Sequence, residues 1–175
     1  VLGSYFFVKY ITNQTKKNLI FAGIAFGIAQ LLKFSLIILV PLFIFTGFVY
    51  WLVSKKISFI KLVSSLTGIF VIGALVIWPV YQFHVWKYPV ERQRADTMFT
   101  LRSYPVKPIA DAVIWATDKP LLRPYAQYSL GLLMVFQRTG GGNTTYFLGN
   151  VNNQAWKSYF PTIYVLKETI PALVL

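Results

Sequence analysis

The sequence has no cysteine, one histidine and five acidic residues in 175. Without cysteine there is no disulfide and no thiolate metal site. His84 cannot build a histidine-based metal centre alone, and Glu91, Asp96, Asp111, Asp118 and Glu168 are the only carboxylates available for acid or base chemistry. Also missing are internal repeats, low-complexity tracts and the strict apolar–polar alternation of a membrane barrel. No secretory leader is visible, because Val1-Leu2-Gly3-Ser4 offers neither an initiator Met nor a basic n-region. The run Ile170 to Leu175 stops while still apolar, so the chain reads as an internal, C-terminal-side fragment of a longer protein.

What the sequence does have is apolar bulk. Hydrophobic residues make up 56%, charged residues 13%, and the mean hydropathy is +0.57, which is the composition of a membrane protein. The net charge of +12 would point to nucleic acid in a soluble protein. Here the cations stand in the gaps between apolar runs, where they meet lipid head groups, so membrane lipid is the expected partner and nucleic acid is not.

Along the chain, Val1 to Tyr10 reads as the end of a helix. Three spans follow, at about 18–33, 35–53 and 62–80. The first carries Gly23, Ala25, Gly27 and Ala29, small residues that let membrane helices approach closely. The second contains Pro41, tolerated where neighbours satisfy the freed carbonyl. The third ends at Trp78-Pro79. Residues 81–160 then hold nine of the 17 Lys and Arg and four of the five acids, and read as a large water-exposed loop. Within it, 109–117 is amphipathic enough to lie flat at the interface. A second helix is expected over 124–138, starting at a proline and stopped by Gly140 to Gly142; its apolar core is too short to cross a bilayer, making it re-entrant or interfacial. A further span begins near residue 161. The predicted fold is therefore an all-α polytopic transmembrane helix bundle with a large, partly helical extracytoplasmic loop. The short Lys16-Lys17 and Lys55-Lys56-Lys61 connections belong inside by the positive-inside rule, which puts Lys33 and the long loop outside and the chain in the cell (plasma or inner) membrane as a multi-pass protein.

Two stretches carry a resemblance. "YFLGNVNNQAWKSYFP" followed by "YVLKETIPALVL" resembles the last extracytoplasmic loop and next helix of bacterial family 39 glycosyltransferases, and "GIAFGIAQLLKFSLIILVPL" resembles their helix, lysine turn and helix unit. These are polytopic enzymes that use lipid-carrier donors and are related to protein O-mannosyltransferases and to the aminoarabinose transferase of lipid A. The resemblance covers most of the chain as family texture. It implies a hexosyltransferase-type enzyme that moves a sugar from a polyprenyl-phosphate-linked donor to an acceptor hydroxyl outside the membrane. It also implies that the catalytic aspartate lies in the first extracytoplasmic loop, upstream of Val1. None of the five acids here inherits that role, so this stretch alone is expected to be inactive. Asp96, between Arg94 and Arg102, reads as an ion-pair partner.

In such a reaction the leaving group is a lipid phosphate, and its growing charge must be met by cations fixed near the head-group plane. The candidates are Lys33, Arg102, Arg123 and Arg138. Lys33 interrupts an apolar stretch, where a lysine is costly without a partner; it either snorkels at a helix turn or faces the phosphate. Arg123 and Arg138 flank a helix and either anchor it or bind the donor. Tyr146, Trp156 and Tyr159 offer rings to stack on a sugar or simply sit at the interface. Asn143, with Asn150, Asn152 and Asn153, makes a polar rim suited to hydroxyl-rich ligands. No cofactor is expected in this stretch; a divalent metal, the donor sugar and the acceptor (lipid A, protein or glycan) stay open. A rival reading is a secondary transporter or flippase, which puts a polar residue or broken helix in mid-span; only Gln30 and Pro41 qualify. A third is a non-catalytic membrane scaffold.

Overall fold

A computed structural model of the chain describes residues 1–54, 57–141, 144–152 and 156–167. The described chain is 79% helical and contains eight α-helices. In order these are α1 (Leu2–Thr12), α2 (Lys16–Leu32), a 3₁₀ turn (Phe34–Ile38), α3 (Leu39–Ser54), α4 (Phe59–Val85), α5 (Val90–Leu101), α6 (Lys107–Thr117) and α7 (Arg123–Gly141), followed by β1 (Thr145–Phe147), β2 (Asn150–Asn152) and α8 (Tyr159–Lys167). Two compact units divide at the Met134–Val135 step, inside α7.

Local chemistry sets the boundaries in the first unit. Thr15 caps α2 by accepting from the Asn18 amide at 3.2 Å, and Ser58 caps α4 by accepting from Lys61 at 3.3 Å. α2 lies along α4 on a seam of small residues. A β-carbon on Gly27 would stand 2.8 Å from the Gly73 carbonyl oxygen, so only glycine allows the two backbones this close. Around that seam Phe7 of α1 stacks on Phe43 of α3, ring centres 4.1 Å apart, and Phe26, Leu62, Leu66 and Ile69 complete the buried cluster. A second apolar cluster, built on Leu101, Tyr104, Ala110, Leu130 and Leu133, joins α5, α6 and α7.

Among the described residues two segments are long and apolar enough to cross a membrane: Phe34–Ser54 and Phe59–Val85, with mean hydropathies of 2.5 and 2.2. Only 17% and 22% of these windows are buried, so both turn apolar side chains outward rather than forming the core of a soluble domain. α2, expected from the sequence as a full span, has 17 residues. At 1.5 Å per residue that is about 25 Å, short of a hydrocarbon layer of about 30 Å.

The segment expected as one helix over 35–53 begins instead as a 3₁₀ turn, and the α-helix starts only at Leu39. Pro41 is the reason. Its ring would collide with the Ile37 carbonyl in a continuous α-helix, whereas in the first turn of α3 its missing N–H is no loss. α4 continues to Val85 with Pro79 inside it, five residues beyond the expected end at residue 80. α6 and α7 occupy the places where the sequence expects helices at 109–117 and 124–138. Gly140 and Gly141 remain helical, and Gly142 lies outside the described residues. α5, by contrast, stands where an open loop is expected. Its buried stripe is Gln93, Thr97 and Leu101, at helical spacing but mostly polar.

In the second unit β1 and β2 pair antiparallel with register Thr145↔Asn152, Tyr146↔Val151 and Phe147↔Asn150. The two turn residues, Leu148 and Gly149, both have positive φ, 49° and 87°, the combination that a two-residue hairpin turn uses to match the twist of its strands.

Candidate functional site

Lys33 ends α2 in an extended conformation (φ −160°, ψ 124°) and its side chain is exposed. Its ammonium has no hydrogen-bond or ion-pair partner among the described residues. One turn earlier, Gln30 is 2% exposed. The Gln30 side chain donates from Nε2 to the Leu36 carbonyl at 2.9 Å and accepts from the Tyr128 hydroxyl at 3.1 Å. The first bond ties the end of α2 to the 3₁₀ turn. The second ties it to α7. Tyr128 also meets Phe34 (ring centres 5.6 Å) and Tyr81 (5.4 Å, edge to face), so α2, the turn, α4 and α7 converge on one buried polar pair next to Lys33.

Arg123, at the start of α7, is half-buried and already occupied. Its Nε donates to Gln93 Oε1 at 2.9 Å and its Nη2 to the Tyr88 carbonyl at 2.6 Å. Gln93 is fully buried and donates to both the Arg123 carbonyl and Gln127 Oε1, at 3.3 Å each. This network fastens α5 to α7 and leaves Arg123 little freedom to follow a lipid phosphate. Two further bonds fasten α7 and the turn before it to α4: Trp78 Nε1 donates to the Leu121 carbonyl at 2.9 Å, and the Tyr125 hydroxyl to the Ala74 carbonyl at 3.2 Å.

Arg102 follows α5 with its guanidinium 4.7 Å above the Phe99 ring, an exposed cation–π pair. Asp96 does not bridge Arg94 and Arg102. It pairs with Arg92 at 3.8 Å and accepts from the Tyr88 hydroxyl, while Arg94 pairs with Asp118 at 3.1 Å. Helical spacing explains the choice, since residue 92 lies one turn from residue 96 on the same face. The bond to the Asp96 carboxylate, with smaller contributions from burial and the Asp96 charge, raises the pKa of the Tyr88 phenol above its ordinary value.

A groove of about 380 Å³ runs between α6 and α7, lined by Ile109, Ala112, Val113, Tyr125, Ala126 and Ser129 among others. It is apolar but for the Tyr125 and Ser129 hydroxyls. Just past the end of α6, Lys119 lies 5.5 Å from the ring of the exposed Trp115.

In the second unit Arg138 is exposed near the end of α7. The three aromatic candidates separate. Trp156 and Tyr159 pack on Phe147, centroids 5.8 and 5.4 Å away, whereas Tyr146 projects from the opposite face of β1 and is 68% exposed. Asn150 and Asn152 are exposed on β2; Asn143, Asn153 and Glu168 lie outside the described residues. Among the described residues no group of His, Cys, Asp and Glu is arranged to hold a metal ion.

Sequence reasoning passed over Gln93 and Tyr128. Gln93 has a local signal, its helical spacing with Thr97 and Leu101, but Tyr128 reaches Gln30 across 98 residues and has none. The chain matches no protein-family model, no curated protein and no solved structure.

Proposed function

We propose that the chain is part of an integral-membrane, multi-pass glycosyltransferase that moves a sugar from a polyprenyl-phosphate donor to an acceptor hydroxyl on the outer side of the membrane. The observation that carries this reading is Lys33, an exposed ammonium without a partner among the described residues, at the head of the apolar segment Phe34–Ser54. A cation fixed at the end of a lipid-facing helix is placed to meet a phosphate whose hydrocarbon tail stays in the bilayer. The Gln30–Tyr128 bond and the Phe34 ring hold its backbone turn, so the stem that carries the ammonium starts from a fixed point at the end of the apolar segment.

The transporter reading needs a polar ligand or broken helix at mid-span. Gln30 already donates to Leu36 and accepts from Tyr128, and the 3₁₀ break at Phe34–Ile38 stands at the end of its apolar segment, not in the middle. Both features favour chemistry at the interface.

The test is donor binding and sugar transfer by the full-length protein in nanodiscs, comparing wild type with Lys33→Ala, Lys33→Arg and Arg138→Ala. Loss of a charged hydrogen bond is worth ~1.5–3 kcal/mol, so Lys33→Ala is expected to weaken polyprenyl-phosphate binding about 10- to 100-fold, with Lys33→Arg retaining most of it. Unchanged donor affinity and turnover in both Lys33→Ala and Arg138→Ala would remove the basis for the reading. Movement of the donor between leaflets without sugar transfer would favour the flippase.

A further inference from the structure

The hairpin β1–β2 sorts its side chains by face. Phe147 points inward, 7% exposed, onto Trp156 and Tyr159. Tyr146 and its cross-strand partner Val151 share the other face, each 68% exposed, and Leu148 at the turn is 73% exposed. A hairpin bathed in water puts polar residues on its open face. This one puts a tyrosine, a valine and a leucine there.

The turn adds an independent observation. Leu148 adopts φ 49°, in the left-handed region that asparagine, aspartate or glycine normally fills at the first position of such a turn. A leucine there is strained, and strain at an exposed tip points to a role for the side chain that the tip presents. Charge supplies the partner. Arg138, Lys157 and Lys167 are all exposed, and every charged side chain described between residues 135 and 167 is a cation. Apolar and aromatic side chains accompanied, among the described residues, by lysine and arginine are the complement of an anionic lipid surface, with the apolar groups entering the head-group layer and the cations meeting its phosphates.

We infer that the tip of the β1–β2 hairpin is a membrane-anchoring finger: Tyr146, Leu148 and Val151 enter the head-group layer of an anionic bilayer, and Arg138, Lys157 and Lys167 bind the surrounding lipid phosphates. The inference does not depend on sugar transfer and holds whether or not the protein is an enzyme.

Because the chain has no cysteine, Leu148→Cys introduces a unique site for an environment-sensitive fluorophore. Asn150→Cys, on the face shared with Phe147, provides the control. The protein is reconstituted in nanodiscs of phosphatidylglycerol or of phosphatidylcholine, each carrying a quencher at head-group depth. The expected result is a blue-shifted, strongly quenched label at position 148 in phosphatidylglycerol, a weakly quenched one at 150, and loss of quenching at 148 in phosphatidylcholine or high salt. Equal quenching at 148 in both lipids, or none in either, overturns the proposal, as does a water-exposed tip that is protected only when an extended peptide is added. To separate insertion from folding, Val151→Cys is labelled with and without Leu148→Asn. Asparagine suits the left-handed turn, so the hairpin is retained while quenching at 151 is expected to fall; undiminished quenching would show that Leu148 is not the anchor.

Discussion

The ring of Phe34 rests directly on Gly131. A β-carbon added to that glycine would approach ring carbon Cε2 to 2.9 Å, and Cζ closer still. The residue that opens the 3₁₀ turn, immediately after Lys33, is therefore seated in a notch of α7 that exists only because position 131 has no side chain. Together with the Gln30–Tyr128 bond, this contact makes α7 the support of the Lys33 turn.

Filling the notch should dislodge the turn. Gly131→Ala is expected to destabilise the protein by about 1–3 kcal/mol through overpacking, and Phe34→Leu in the same chain to recover part of that loss. A double-mutant cycle from thermal unfolding in detergent measures the coupling; strictly additive effects would mean the two residues do not meet.

Gln93→Leu is nearly isosteric but removes the acceptor for Arg123 Nε and the donor to Gln127. With the guanidinium left half-buried and short of a partner, a loss of about 1–3 kcal/mol is expected. Arg123→Lys should cost a similar amount, because an ammonium cannot hold Gln93 and the Tyr88 carbonyl in the same fork. Both are read by unfolding midpoints. Donor binding per folded molecule should change far less in Arg123→Lys than in Lys33→Ala.

The α2–α4 seam makes a paired prediction. At Gly27 the nearest obstacle is backbone, the Gly73 carbonyl, which cannot turn aside; Gly27→Ala should cost about 1–3 kcal/mol. At Gly68 the nearest atoms are the methyl groups of Leu19 at 3.5 Å and beyond, an ordinary contact. Gly68→Ala should be neutral or stabilising by roughly 0.5–1 kcal/mol, the usual gain when a helical glycine is replaced. Melting temperatures of the two variants decide it.

The Tyr88–Asp96 bond predicts an alkaline effect. The folded phenol has the higher pKa, so the bond contributes fully below the unfolded value of about 10 and is lost as pH rises through the folded value. The stability difference between wild type and Tyr88→Phe is therefore expected to be constant near neutral pH and to shrink above pH ~10, followed by circular dichroism. The Tyr88–Asp96 bond is open to solvent, so the difference should be small.

The parts of this fold that are legible in the sequence are those whose signal is local. α6 and α7 announce themselves through Pro108 and Pro124 in their first turns and the apolar periodicity that follows. α5 is hidden because its inward stripe is glutamine and threonine, which hydropathy scores as surface. The hairpin is hidden because its turn is Leu148-Gly149 rather than Asn-Gly. At the candidate site, Lys33 stands out as a lone charge in an apolar stretch. What holds it, Tyr128 and Gly131, lies about a hundred residues away and is brought there only by tertiary packing. Tyr146, Trp156 and Tyr159 look equivalent in the sequence; strand register and packing on Phe147 set Tyr146 apart.

α4 has 27 residues and is therefore about 40 Å long, while the hydrocarbon it would cross is about 30 Å thick. The surplus of about 10 Å is nearly two helical turns. Trp78 and Tyr81, which hold Leu121 and Tyr128, stand near that end of the helix. For a membrane span of that length, bilayer thickness sets how far those turns stand from the hydrocarbon, so reconstitution in lipids of different acyl length is expected to alter the α4–α7 contacts that seat the Lys33 turn.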